Sequence, residues 1–289
     1  MSFKIGILEG EIDKRNEGLE DILNSIEGYR FIMLKTTNFR QENSVADTEE
    51  YLDFLAEKAK KMEAYFAAGV IDEKADGKIY KTGIVFGPEG KPVLKQRQLF
   101  LNREDKKKGY SPGIEINIAR TNIANIGFIS GEDCWQPEVG RFLALEGVDL
   151  VIAYSFNKGG FYWKQLAGIW SQVQQNQFIA LEAGYGGRDL IHAPCEITPY
   201  RIGILAPLGK KEEALQKSPA QYLSSLKNQE KVEDGLDFFE SFTITRAVIE
   251  LDRLRDIRKK YPLLKHLNPG LYQKSGPELL YDFKEEAGG

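Results

Sequence analysis

Hydrophobic and polar positions along the chain follow two patterns that together predict an α/β protein. Short apolar runs typical of buried strands occur at residues 3–8, 30–34, 149–153 and 178–181. Apolar residues at helical spacing predict helices over residues 13–26, 47–59, 137–145 and 161–177. Asp47 and Glu50 resemble a capping box, which favours a helix start at that point.

The middle of the chain has a different pattern. Residues 64–71, 78–86 and 92–99 are strand-like, and the turn sequences Asp76-Gly77 and Gly87-Pro88-Glu89-Gly90 separate them. This arrangement predicts an antiparallel meander, with further strands over 114–119 and 123–129. Strand–helix units around a meander indicate two stacked sheets with helices outside.

The last third of the chain is more charged. Residues 209–240 have a helical composition and are interpreted as a surface excursion, after which 241–251 predicts a strand and 252–260 a helix. The length fits one large core. We therefore expect one domain over 1–262 and a C-terminal tail over 263–289 that packs on a partner subunit.

One stretch joins a strand, a sharp turn and a helix. Residues 128–138 read FISGEDCWQPE, an apolar strand followed at once by acids, a thiol and a proline. Proline favours the first turn of a helix, and a strand that ends in a tight turn before a helix presents polar groups at the carboxyl end of a sheet. We expect the active site, if the protein has one, at this elbow.

Composition narrows the class of protein. The formal net charge is −4, with 39 basic and 43 acidic residues, which argues against nucleic-acid binding. The two cysteines, Cys134 and Cys195, have neither metal-site nor disulfide spacing, and His192 and His266 belong to no ligand motif. We expect no metal and no cofactor. No apolar run approaches the ~18 residues of a membrane span, and no secretory signal is evident, so a cytoplasmic protein is expected.

Three motifs carry a resemblance to a known family. The turn Gly87-Pro88-Glu89-Gly90-Lys91, the elbow over 133–138 and the ending over 256–262 resemble the nitrilase, or carbon-nitrogen hydrolase, superfamily. The resemblance implies a four-layer α-β-β-α sandwich. Within the superfamily, Glu132-Asp133-x-Trp135-x-Pro137 and Gly186-Gly187-x-Asp189-Leu190 are most similar to the glutaminase domain of glutamine-dependent NAD synthetases. We expect no synthetase half.

The family's chemistry implies a cysteine nucleophile, a glutamate base and a lysine that stabilises the tetrahedral intermediate. At the matching positions this chain has Gly131, Thr36 and Gln96. Each substitution removes a different catalytic role. The resemblance therefore implies a fold without the usual catalytic triad.

Neighbouring residues offer alternatives. Cys134 lies three positions after the nucleophile's place, and Lys95 lies one position before the lysine's place. A one-residue shift on a strand turns a side chain to the opposite face, unless a bulge reverses it. The simpler interpretation of Cys134 is a buried structural role. For Asp133 and Trp135, the simpler interpretation is that they shape the elbow.

Two functions are carried forward from the resemblance. The first is a protein that has lost amide or nitrile hydrolysis and serves as a binding, regulatory or assembly subunit. The second is an active amidohydrolase that cleaves a small amide or nitrile C–N bond through Cys134 and Lys95. A different chemistry on the same scaffold is a third hypothesis. A small-molecule ligand and a homodimer or larger homo-oligomer are expected, with these pocket candidates: Glu104, Asp105, Glu132, Asp133, Trp135 and Tyr185.

Overall fold

The computed structural model describes residues 1–10, 22–24, 26–36, 45–156, 165–185, 188–211, 216–217, 221–222, 225, 232–239 and 242–268. Within them, two large β-sheets face each other. The first sheet has the order β14-β15-β1-β2-β3-β4-β5. Its strands are β1 (Ser2–Gly10), β2 (Tyr29–Thr36), β3 (Tyr65–Ala75), β4 (Lys78–Phe86), β5 (Pro92–Arg97), β14 (Leu236–Phe238) and β15 (Phe242–Glu250).

The second sheet has the order β11-β10-β9-β8-β7-β6. Its strands are β6 (Ala119–Arg120), β7 (Asn125–Ser130), β8 (Leu150–Phe156), β9 (Ile179–Tyr185), β10 (Leu190–His192) and β11 (Ile204–Ala206). A small third sheet pairs β12 (Leu208–Gly209) with β13 (Val232–Asp234). Strands β1, β2 and β3 run parallel, as do β7, β8 and β9, so each sheet has one edge where several carboxyl ends meet.

Helices cover the outer faces of both sheets. The described α-helices are α1 (Val45–Lys61), α2 (Arg103–Lys107), α3 (Pro137–Leu145), α4 (Ser171–Asn176) and α5 (Leu251–Lys260). Of these, α1 packs on the first sheet and α3 and α4 pack on the second, whereas Leu251 and Leu254 of α5 pack in the layer between the sheets. A π-helical turn, Leu166–Trp170, runs directly into α4, and a 3-10 turn, Gly131–Trp135, precedes α3. Residues 22–24 are also helical.

Side-chain alternation along the strands creates three apolar layers. Phe31 and Met33 of β2 face inward and pack between the sheets against residues such as Phe128 and Ile152. Ile32 and Leu34 face outward and pack beneath α1. On the second sheet, Ile129 and Ala153 pack beneath α3 and the helical segment before β9. The predicted α-β-β-α sandwich is confirmed.

Most predicted elements are confirmed, but one strand is wrong. The stretch over 114–119 forms a strand only at its end, in β6. The side chain of Gln96 explains the difference: its amide donates to the Glu115 carbonyl at 2.9 Å and accepts from the Asn117 amide at 2.7 Å. The backbone at Glu115 and Asn117 therefore makes hydrogen bonds to the side chain of Gln96, and it does not pair with a neighbouring strand as predicted.

A second correction concerns the charged excursion over 209–240. Residues 232–238 were predicted as helical, but they form β13 and β14, because β14 pairs with β15 and β13 with β12. Helix α1 begins at Val45, two residues before the predicted start. The predicted elements over 13–21, 161–164 and 269–289 lie outside the described residues.

Candidate functional site

The elbow has the predicted strand–turn–helix form. Strand β7 ends at Ser130, the 3-10 turn Gly131–Trp135 follows, and α3 begins at Pro137. Gly131 has a φ of +57°, a conformation that side-chain-bearing residues rarely adopt. A Cβ at this position would lie 2.6 Å from Nε2 of Gln98. Position 131 therefore carries no reactive group and is closely surrounded.

Asp133 holds the elbow in place. Its carboxylate accepts hydrogen bonds from the backbone amides of Leu99, at 3.0 Å, and Phe100, at 2.7 Å. Burial raises the pKa of Asp133 to about 7, against the lowering effect of these backbone donors. The carboxylate thus binds the backbone of the segment after β5, which fits the expected role of Asp133 in shaping the elbow.

Cys134 lies on the outer side of the second sheet. Its side chain is 1% exposed and packs in the apolar layer with Ile129 and Val139. The sulfur lies 3.8 Å from the Tyr154 carbonyl oxygen. Burial raises the pKa of the thiol well above its ordinary value, and nearby acids add to the effect. At neutral pH this cysteine is a neutral, enclosed thiol.

The structure does not bring Lys95 and Cys134 together. Lys95 is exposed and lies on the face of β5 opposite to Leu94, which packs between the sheets. The irregularity in the pairing of β4 with β5 falls between Val85 and Phe86, while Lys95 and Gln96 keep a regular register. No bulge therefore turns Lys95 inward.

Gln96 is buried, and its side chain makes hydrogen bonds to backbone groups. Besides its bonds to Glu115 and Asn117, its side-chain amide donates to the Arg97 carbonyl at 2.7 Å. Thr36 is the last residue of β2 and pairs with Gly10 of β1. The described hydrogen bonds of Gln96 indicate a structural role.

The remaining pocket candidates lie in different surroundings. Glu104 is exposed, whereas Asp105 is buried, pairs with Lys81 and donates its backbone amide to Oδ1 of the N-cap residue Asn102 at 2.8 Å. Glu132 and Trp135 are half-buried at the elbow. Tyr185 stacks on Phe156, with ring centroids 5.1 Å apart. Whether these residues line one pocket stays a prediction.

A charged cluster that the sequence interpretation missed lies between the sheets. Nζ of Lys35 is 2.7 Å from Oε1 of Glu9 and 2.9 Å from Oδ1 of Asp189. Lys35 continues the inward-facing series of Phe31 and Met33, so a charge at the end of that series was the signal available in the sequence. The two charged partners come from β1 and from the loop after β9.

Burial and the neighbouring charges shift the pKa values of Lys35 and Asp189. Burial by itself lowers the pKa of Lys35, but the carboxylates of Asp189 and Glu9 outweigh it and raise the pKa above its ordinary value. Burial raises the pKa of Asp189 to about 6, and Lys35 opposes that rise. At neutral pH Lys35 is an ammonium and Asp189 is mostly a carboxylate.

Tyr154 joins the two sheets beside this cluster. Its hydroxyl donates to the Leu34 carbonyl at 2.7 Å, and its ring stacks on Phe128 with centroids 5.4 Å apart. The carboxyl end of β2 therefore meets the carboxyl end of β8. Open α/β sheets commonly bind ligands at such an edge.

A second buried pair lies on the outer side of the second sheet. Nε2 of His192 is 2.7 Å from Oε2 of Glu182, and both side chains are fully buried. Among the described residues, no group of three or more His, Cys, Asp or Glu side chains could hold a metal ion. Likewise, in the part of the chain that the structure covers, no helix has the length and apolar character needed to span a membrane.

Comparison with known proteins establishes the family. The sequence pattern of the carbon-nitrogen hydrolase family matches residues 26–185, which run from just before β2 to the end of β9. The chain belongs to the carbon-nitrogen hydrolase family. This match includes the elbow and the strands that carry the positions of Thr36 and Gln96.

Relatives of this family member include named enzymes. The omega-amidase NIT2 of Bos taurus is 30% identical over 230 residues, covering 76% of this chain and 73% of that protein. The hydrolase C26A3.11 of Schizosaccharomyces pombe is 30% identical over 137 residues, only 44% of this chain and 42% of that protein. The finer resemblance to NAD synthetase glutaminase domains stays a prediction.

A solved structure supports the same fold. The crystal structure of a carbon-nitrogen hydrolase from Helicobacter pylori G27 aligns with a TM-score of 0.65 and 17% identity, covering 94% of this chain and 97% of that one. At this identity the likeness shows the shared fold alone.

Proposed function

We propose that this carbon-nitrogen hydrolase family member serves as a binding, regulatory or assembly subunit and does not hydrolyse amides or nitriles through a thioester. The observation that carries the proposal is Gly131 at the nucleophile's position, with a φ of +57° and Gln98 against it. Thioester chemistry needs a nucleophilic sulfur at that point, and glycine has no side chain to provide one.

The other two catalytic positions support the proposal. Gln96 is a neutral amide that already makes three bonds to backbone groups, so it has no positive charge to offer a developing oxyanion. Thr36 carries a hydroxyl, which does not act as a general base near neutral pH. All three roles of the family's chemistry lack a suitable residue at the matching position.

An active amidase is the second candidate. The named relatives, taken by themselves, favour hydrolysis of a small amide more than its loss, because the Bos taurus relative is an omega-amidase. The hypothesis assigns the nucleophile to Cys134 and the cation to Lys95. The buried thiol and the exposed lysine speak against that pair, so this function would require another arrangement of the elbow or another nucleophile.

Amide turnover distinguishes the two candidates. We expect purified wild-type protein to release no ammonia from small amides such as succinamate or glutaramate, and no acid from small nitriles. The matched variants are Cys134→Ala and Lys95→Ala, with Cys195→Ala as the control for a cysteine outside the elbow. Wild-type turnover that Cys134→Ala abolishes and Cys195→Ala leaves unchanged would overturn the proposed function.

The proposal extends to assembly and location. The chain forms a homodimer, or a larger homo-oligomer, from a single domain over 1–262. Phe142 and Leu145 of α3 are 55% and 54% exposed and offer an apolar surface for pairing. Light scattering that showed a monomer at micromolar concentration would contradict the homodimer.

The proposal also covers nucleic-acid binding and location. The net charge of −4 supports a protein that does not bind nucleic acid, and the two free cysteines support a location in a reducing cytoplasm.

A further inference from the structure

Three charged side chains from separate parts of the chain meet at the carboxyl edge of both sheets. Glu9 lies near the end of β1, Lys35 near the end of β2, and Asp189 four residues after β9. The ammonium of Lys35 lies between the two carboxylates, at 2.7 Å from Glu9 and 2.9 Å from Asp189. The cluster therefore belongs to neither sheet alone.

The charges in this cluster do not balance. One ammonium and two carboxylates leave an excess of one negative charge. The side chains of Lys35 and Asp189 are 6% and 5% exposed, whereas that of Glu9 is 39% exposed. Asp189 also accepts a hydrogen bond from the Gly184 amide at 3.1 Å. The excess charge therefore lies on Glu9, on the side open to solvent.

An aromatic pair lies next to the charged cluster. Phe156 ends β8 and Tyr185 ends β9, and both are half-buried. Their rings stack with an interplanar angle of 17°, and Nζ of Lys35 lies 5.7 Å from the Tyr185 centroid. Aromatic faces attract cations and cover apolar groups. This end of the sandwich thus combines an accessible carboxylate with an aromatic surface.

The geometry points to a binding site for a small compound that carries a protonated amine, with the ammonium on Glu9 and the apolar part against Phe156 and Tyr185. Lys35, which is fixed in turn by Asp189, holds the Glu9 carboxylate in place. An anionic compound is disfavoured, because two of the three N–H donors of Lys35 already serve carboxylates. The inference rests on the proposed binding role but not on the loss of hydrolysis.

A titration of the full chain with benzylamine tests this site. Benzyl alcohol has nearly the same shape without the charge and serves as the ligand control. Glu9→Gln removes the excess charge and keeps the size of the side chain. Glu146→Gln is the matched protein control, because Glu146 is an exposed carboxylate that pairs with Arg120 at 3.2 Å, away from the cluster.

We expect calorimetry near neutral pH to show benzylamine binding to the wild type and to Glu146→Gln alike. Glu9→Gln should weaken binding about tenfold or more, equivalent to about 1.4 kcal/mol, and benzyl alcohol should bind the wild type more weakly by a similar factor. The comparison of benzylamine with benzyl alcohol uses only the wild type, so it tests the amine site even if Glu9→Gln fails to fold.

Three outcomes would each overturn the site: no benzylamine binding to the wild type, equal binding of the alcohol, or unchanged binding by a folded Glu9→Gln. Amide turnover is measured in a separate assay on the same samples. Failure of the amine site and failure of the proposed function are therefore told apart.

Discussion

Gln98 occupies the space beside Gly131 that a side chain at the elbow would need. A Cβ on Gly131 would lie 2.6 Å from Nε2 of Gln98, whose amide donates to the Phe100 carbonyl at 2.6 Å. The side chain of Gln98 is thus anchored, and it cannot move away from Gly131 without losing its hydrogen bond to the Phe100 carbonyl. This relationship explains why position 131 is closed to a simple replacement of the glycine.

Gly131→Ala should destabilise the fold by about 1–2 kcal/mol from the positive φ alone, and by more because Gln98 must shift. Gly109→Ala is the matched control, since Gly109 has a φ of +86° with nothing within 4 Å of an added Cβ. Urea unfolding measures both free energies. Equal losses for the two variants would contradict the crowding by Gln98.

Lys35→Met should destabilise the protein by about 3–5 kcal/mol, because Asp189 then lies buried without its cation. The double variant Lys35→Met, Asp189→Asn should recover part of this loss, since the neutral amide no longer needs a counter-charge. Chemical denaturation of wild type, both single variants and the double variant gives the coupling energy. A loss below about 1 kcal/mol for Lys35→Met would mean that the cluster contributes little to the fold.

The stability of the protein should depend on pH through Asp133. Its pKa in the folded state, about 7, lies above the ordinary value of 3.8, so the folded protein binds this proton more tightly than the unfolded chain does. The resulting stabilisation is complete below about pH 4 and is lost as the pH rises through about 7.

Asp133→Asn removes this titration and keeps one oxygen to accept from Leu99 and Phe100. Relative to wild type, its unfolding free energy should therefore rise by about 1 kcal/mol or more between pH 5 and pH 8. Asp256→Asn, at an exposed pair with Lys259, should show no such change. A pH-independent difference between Asp133→Asn and wild type would show that the raised pKa is absent.

The two thiols should differ in reactivity. Iodoacetamide should label Cys195, which is partly exposed, well before Cys134, which is enclosed and has a strongly raised pKa. Mass spectrometry of the native protein over time, with a urea-unfolded sample as the reference, measures both rates. Faster labelling of Cys134 in the native protein would favour the amidase hypothesis.

Local patterns in the sequence were enough for much of the fold. The meander strands β3, β4 and β5 and the helix α3 follow from period and turn residues, because these elements satisfy their hydrogen bonds with near neighbours in the chain. The prediction of a strand over 114–119 was wrong, because the alternation there resembles a strand but the backbone bonds to the side chain of Gln96. The interpretation of residues 232–238 as helical was wrong, because their pairing with distant strands outweighs a helical composition.

The sequence by itself determined the family resemblance, because the resemblance depends only on motif order. The same motifs assign Gly131, Thr36 and Gln96 to the family's catalytic positions, and that assignment stays a prediction. The tertiary structure alone decided which side chains meet. Cys134 is enclosed because the turn after β7 places it beneath α3, and Lys35 meets Asp189 because parallel strands from two sheets end at one edge. Contacts between residues 154 positions apart depend on how the layers stack, and no local pattern encodes that.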